Sequence, residues 1–125
     1  VCHKIEAGSV RVDADAEVRL IDLITEAANR SLLKSAHDCS AGGLAVALAE
    51  SAVLGKIGID CSGADLGDRI DGACFGEAGA RAVVSVDPSL VSALNVLASE
   101  MRVNAVFLGT VGGDRIRLRI RYFTT

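Results

Sequence analysis

Aromatic side chains are scarce in this sequence: it has no Trp, one Tyr and three Phe among 125 residues. Half of the residues are nevertheless hydrophobic, so a core must be built from Ala, Val, Leu and Ile, which suits helices packed closely on a sheet. The same scarcity speaks against a nucleic-acid groove, which normally adds stacking aromatics to a basic stripe. Arg115, Arg117, Arg119 and Arg121 are the nearest approach to such a stripe, since alternation in a strand puts them on one face. A solvated or domain-contacting sheet face is the expectation there. With 13 basic and 16 acidic residues the net charge is −3, so neither sign dominates.

Metal-ligand spacing is also missing. Cys2, Cys39, Cys61 and Cys74 form no Cys-x-x-Cys pair, and no His-x-x-x-His pair accompanies them. The chain is too long and too poor in cysteine for a disulfide scaffold, and no signal peptide is expected. Reduced, mostly buried thiols in a cytoplasmic protein are expected. No apolar run is long enough to span a bilayer. The chain starts at Val1 rather than Met and reads as a piece of something longer. Residues 1–12 make a lead-in or linker and 13–125 a single domain, large enough for its own core.

What is present alternates between helix and strand signals. Asp13 and Asp15 are suitable N-caps for a helix over 14–31, with Glu17 adding negative charge to its first turn. Val18, Ile21, Ile24 and Ala28 recur along that helix, with Leu20, Leu23 and Ala27 widening the stripe. A strand over 33–38 should follow, then a buried helix over 42–54 that is apolar nearly all round, with Gly55 as its C′ residue. Residues 57–61 read as a strand, and 62–72 as a polar loop containing Asp65, Asp68 and Asp71. Those aspartates lack the regular ligand pattern of a calcium loop, so a solvated loop is expected. A second glycine elbow over 73–80 leads into a strand over 81–86. Asp87 and Pro88 open a helix with Leu90, Leu94, Leu97 and Met101 on one face. Residues 103–111 and 114–121 should pair as a hairpin about Gly112 and Gly113. This order predicts an α/β (α+β) fold, a layered sandwich of helices on a mixed sheet, with a ferredoxin-like second half.

The chemistry-bearing stretch is the elbow between the second pair of elements, His37-Asp38-Cys39-Ser40-Ala41-Gly42-Gly43-Leu44. A carboxylate, an imidazole and a hydroxyl meet at a helix N-terminus, where free N–H groups and the dipole favour phosphate or another anion. Each residue has a plainer role beside that one. Asp38 could ligate a metal or accept backbone N–H groups as a cap; Ser40 could bind phosphate or serve as N-cap. His37 could carry protons or be a hydrogen-bonded structural residue. Glu77 could contact a ligand or pair with Arg81. Gly42 and Gly43 serve the turn whatever the ligand.

The string over 35–51, Ser-Ala-His-Asp-Cys-Ser-Ala-Gly-Gly-Leu-Ala-Val-Ala-Leu-Ala-Glu-Ser, resembles the last domain of the synthetase (large) subunit of phosphoribosylformylglycinamidine synthases. Phe75-Gly76-Glu77, Arg81-Ala82-Val83-Val84-Ser85-Val86 and Gly109-Thr110-Val111-Gly112-Gly113-Asp114 follow in the order and spacing of that family, so the likeness runs from about residue 13 to 120. It implies a fold like the C-terminal domain of aminoimidazole ribonucleotide synthetase. It also implies a ligase of purine biosynthesis that uses ATP and Mg²⁺ to activate the formyl amide oxygen of formylglycinamide ribonucleotide. Ammonia from a glutaminase subunit or domain then displaces phosphate. The family's main catalytic residues lie in preceding domains, so no catalytic residue is expected here and the fragment should be inactive alone.

The ligand-facing elbow implied is His37, Asp38, Ser40, Gly42, Gly43 and Glu77, with Asp38 a metal ligand only by analogy with the enzyme's first half. Ala41, Ala78 and Gly79 depart from the family by removing polar groups. The implied partners are the preceding domains, the glutaminase and, for the fragment, another copy of itself; nucleic acid and membrane are not among them. Two other readings stand beside this one: the matching domain of a sister enzyme (aminoimidazole ribonucleotide synthetase, selenophosphate synthetase, thiamine phosphate kinase), or an autonomous phosphate-ligand-binding module.

Overall fold

Asp13 starts the first helix as its sequence suggests: the carboxylate accepts the Ala16 N–H at 3.0 Å, closing an N-cap. In the computed structural model, which describes residues 13–61, 70–77 and 79–118, that helix is α1 (Ala14–Asn29). Among the described residues it is followed by β1 (Ser35–Asp38), α2 (Gly43–Gly55), β2 (Ile59–Asp60), α3 (Ile70–Phe75), β3 (Ala82–Ser85), α4 (Val91–Glu100), β4 (Thr110–Val111) and β5 (Ile116–Arg117). A 3₁₀ turn over Pro88–Leu90 leads into α4; Asp87 caps it by accepting the Ser89 N–H at 3.0 Å. The mixed α/β architecture agrees with the expectation.

Two small cores hold these elements. Leu23 and Ala27 of α1 meet Leu97 and Ala98 of α4 and Leu32, with Leu90, Leu94 and Met101 packed around them. The predicted Leu90–Met101 face is therefore the one α4 buries. Leu48 and Ala52 of α2 meet Ile59 and Cys61, with Leu44, Val83 and Leu108 alongside. Cys39, Cys61 and Cys74 are buried free thiols, as expected. No helix of the described residues is long and apolar enough to cross a membrane.

The strands depart from expectation in an instructive way. Among the described residues, 114–118 do not form a hairpin with 103–111. Instead β2 lies between β4 and β5, antiparallel to β4 and parallel to β5. Gly112 donates its N–H to the Gly58 carbonyl at 2.8 Å, and Gly58 donates to the Gly113 carbonyl at 2.9 Å, so the glycine pair wraps around the start of β2. Only Thr110 and Val111 of the expected long strand are extended and paired. The ferredoxin-like grouping also fails, because β3 pairs with β1 in a separate antiparallel ribbon.

Helix details differ too. Residues 70–75, expected as loop and elbow, form α3; Asp71 falls within it, while Asp65 and Asp68 lie outside the described residues, as do Cys2, Ala78, Arg119, Arg121 and the 1–12 lead-in. Gly55 is the last residue of α2, and Lys56, not Gly55, adopts the left-handed closing conformation, at φ 51°. α2 is buried along Gly43, Ala47, Leu48 and Ala52 but leaves Val53 and Leu54 in solvent, so it is not buried all round. On α1 the core takes Leu23 and Ala27 and leaves Val18 and Ile21 exposed.

Candidate functional site

The two elbows meet because of how β1 pairs. Antiparallel register sets Asp38, the last residue of β1, opposite Ala82, the first of β3. The turn leaving β1 and the turn entering β3 therefore lie at the same end of one ribbon. Cys39 extends the pairing by donating its N–H to the Arg81 carbonyl at 3.1 Å.

Glu77 closes the gap between them. Its Oε1 accepts the Gly42 N–H at 2.9 Å. Gly42 is the N-cap of α2, in the left-handed region at φ 83°, and no side chain of its own segment caps the helix. A carboxylate from 35 residues further along the chain thus satisfies a donor at the helix's positive end. Gly43, at φ 71°, is equally constrained: a Cβ there would come within 2.8 Å of the backbone oxygens of Cys74 and Gly76. The carbonyl end of α3 is consequently seated against the N-terminus of α2, opposite partial charges together.

Arg81 completes the joint. Its guanidinium donates to the Ala73 carbonyl at 3.1 Å and to the Gly76 carbonyl, supplying donors that the end of α3 lacks. Arg81 and Glu77 are not paired with each other. Glu17 of α1 reaches the same loop, accepting the Ala80 N–H at 2.5 Å. Sequence reasoning missed Glu17 in this role. Its signal was available: helical spacing places this carboxylate between Ile21 and Ile24, on the otherwise apolar side of α1.

The remaining candidates divide into two kinds. His37 is committed to the protein: Nε2 lies 3.1 Å from a Glu50 carboxylate oxygen, and Nδ1 lies 2.7 Å from the Asp38 carbonyl oxygen. Asp38 and Ser40 are exposed, and neither side chain caps α2; Ser40 contributes only its carbonyl, which accepts the Gly43 N–H at 3.1 Å. Between them the Cys39 thiol is held above its ordinary value by burial, with Arg81 pulling it down and Asp38 pushing it up. That sets it against a role as thiolate nucleophile. No group of three or more His, Cys, Asp or Glu that could hold a metal occurs among the described residues. Glu77 uses one oxygen on Gly42, so its second oxygen and the Asp38 carboxylate are the elbow acceptors left, too few to hold a magnesium ion unaided.

Comparison with known proteins settles the family. The model for "AIR synthase related protein, C-terminal domain" matches residues 3–121. The chain belongs to this family. Among curated relatives, this AIR synthase related C-terminal domain is 40% identical over 118 residues to phosphoribosylformylglycinamidine synthase subunit PurL of a Nitratiruptor species, covering 92% of this chain and 15% of that protein. Against the same-named subunit of Thermobifida fusca it is 46% identical over 108 residues, covering 86% of this chain and 14% of that one. A solved structure of T. maritima PurL complexed with ATP shares the fold, with a TM-score of 0.63 at 24% identity over 86% of this chain and 19% of that one. The chain spans about 15% of the length of the curated relatives it matches.

Proposed function

We propose that this chain is the C-terminal domain of the synthetase subunit of a phosphoribosylformylglycinamidine synthase. The reaction is the ATP-dependent conversion of formylglycinamide ribonucleotide and glutamine-derived ammonia to formylglycinamidine ribonucleotide, in the cytoplasm. The observation that carries this reading is the identity of 40% and 46% to subunits of that name over almost all of the chain. The ATP bound in the T. maritima relative supports nucleotide use by the whole enzyme. Magnesium and the glutaminase enter with the same reading.

Within that enzyme the domain frames rather than reacts. Gly42, Gly43 and Glu77 hold the two elbows together through the contacts described above, and His37 ties the first elbow to Glu50 of α2. Asp38, Ser40 and the second carboxylate oxygen of Glu77 are the groups at the elbow left to face a ligand, and magnesium would need further ligands from substrate or other domains. The test is an assay of product formation from formylglycinamide ribonucleotide, ATP, magnesium and ammonium. The complete polypeptide should turn over and the 125-residue chain alone should not. Turnover by the chain alone, or none by the complete polypeptide with its glutaminase, would overturn the reading.

A further inference from the structure

α1 carries two apolar stripes, and the fold uses one. Leu23 and Ala27 are buried against α4, whereas Val18 and Ile21 are 56% and 60% exposed. With Ala14, Thr25 and Ala28, also exposed, these residues recur at alternating steps of four and three. That spacing keeps a straight seam along a helix and fits a second helix crossing at a shallow angle. The charged residues bordering the seam share one sign: helical spacing puts Asp15 and Asp22, both exposed, on one rim and Glu17, whose carboxylate already holds the Ala80 N–H, on the other. Arg19 and Arg30 lie further round. Two copies of α1 laid together, parallel or antiparallel, would therefore set carboxylates against carboxylates.

We infer that the seam Ala14–Val18–Ile21–Thr25–Ala28 docks an amphipathic helix with Lys or Arg along its rims, carried by another domain of the larger ligase. The inference rests on the proposed function for the existence of those domains. The relatives, of which this chain spans about 15%, carry ample further polypeptide to provide one. Opposite charge along the rims selects the partner and its direction, while the apolar seam supplies the burial.

The test compares cysteine-modification rates at two positions in the complete polypeptide, read by peptide mass spectrometry. Val18→Cys should react at least about tenfold more slowly than Arg30→Cys, which lies off the seam. Adding Asp15→Lys and Asp22→Lys should speed modification at Val18→Cys about threefold or more at low ionic strength, because the lysines repel a basic rim. Equal rates at the two cysteines would overturn the inference, as would no response to charge reversal. Slower modification on charge reversal, with a dimer seen by light scattering, would assign the seam to a second copy and also overturn it. Modification needs no turnover, so a protected seam in an enzyme lacking synthase activity would indict the proposed function alone, and an active enzyme with an open seam the docking alone.

Discussion

α1 and α2 begin in opposite ways. The start of α1 is written locally: Asp13 caps a donor three residues on, and Asp15 and Glu17 load the first turn with negative charge. α2 has no capping side chain and no acidic residue in its first turn; its N-cap is a left-handed glycine. The negative charge it needs arrives from Glu77, and the carbonyl end of α3 lies against Gly43. One helix could start wherever its sequence goes, whereas the other needs the tertiary fold. One donor of the Gly42–Gly43 elbow, the Gly42 N–H, is thus taken by the protein's own carboxylate.

Substitutions should separate the two kinds of helix start. The largest effect belongs to Gly43→Val, because a β-branched residue in the left-handed region would also press on two backbone oxygens that cannot rotate away. The cost should be on the order of 3 kcal/mol or more, and a melting temperature within about 2 °C of the parent would contradict it. Glu77→Ala and Asp13→Ala should each cost about 1 kcal/mol by thermal melting. Their footprints should differ: Glu77→Ala loosens both α2 and the loop before β3, whereas Asp13→Ala touches α1 alone. Smallest is Asp87→Ala at the turn before α4. Hydrogen bonds from the Ser89 hydroxyl and N–H, then Lys34, hold the Asp87 carboxyl below its ordinary 3.8. A lowered folded value means the stabilisation is complete above 3.8 and is lost as pH falls through the folded value. The melting-temperature gap between parent and variant should therefore be flat from neutral pH to about pH 4 and shrink below it.

The same division explains what the sequence disclosed. Asp13, Asp87 with Pro88, and the Leu90–Met101 face act over one or two helical turns, so the start of α1 and the buried face of α4 were legible, though Pro88–Leu90 is a 3₁₀ turn and α4 itself begins at Val91. So was the helix after the elbow, from its unbroken apolar run. The hairpin was misread because Gly112–Gly113 looks like a two-residue turn; the pair does turn the chain, but around the start of β2, which enters between β4 and β5. A Cβ at Gly58 would lie 2.5 Å from the Gly112 oxygen, and one at Gly109 would collide with the Asp60 oxygen. Close approach is what Gly58 and Gly109 serve, whereas Gly113 serves its left-handed turn at φ 74°. α3 was missed because six residues with Gly72 among them carry little helical signal. At the site, the string around His37 marked the right elbow, but the bond from Gly42 to Glu77 spans 35 residues and left no local pattern. Nor could periodicity tell which of the two stripes of α1 meets α4.

Amide exchange at Gly42, measured in the parent and in Glu77→Gln, tests the central claim most directly. Weakening the acceptor should speed Gly42 exchange at least about threefold while leaving the Ala16 amide, capped by Asp13, unchanged. Unchanged exchange at Gly42 would show that α2 starts without Glu77, and the joint between the elbows would have to be abandoned.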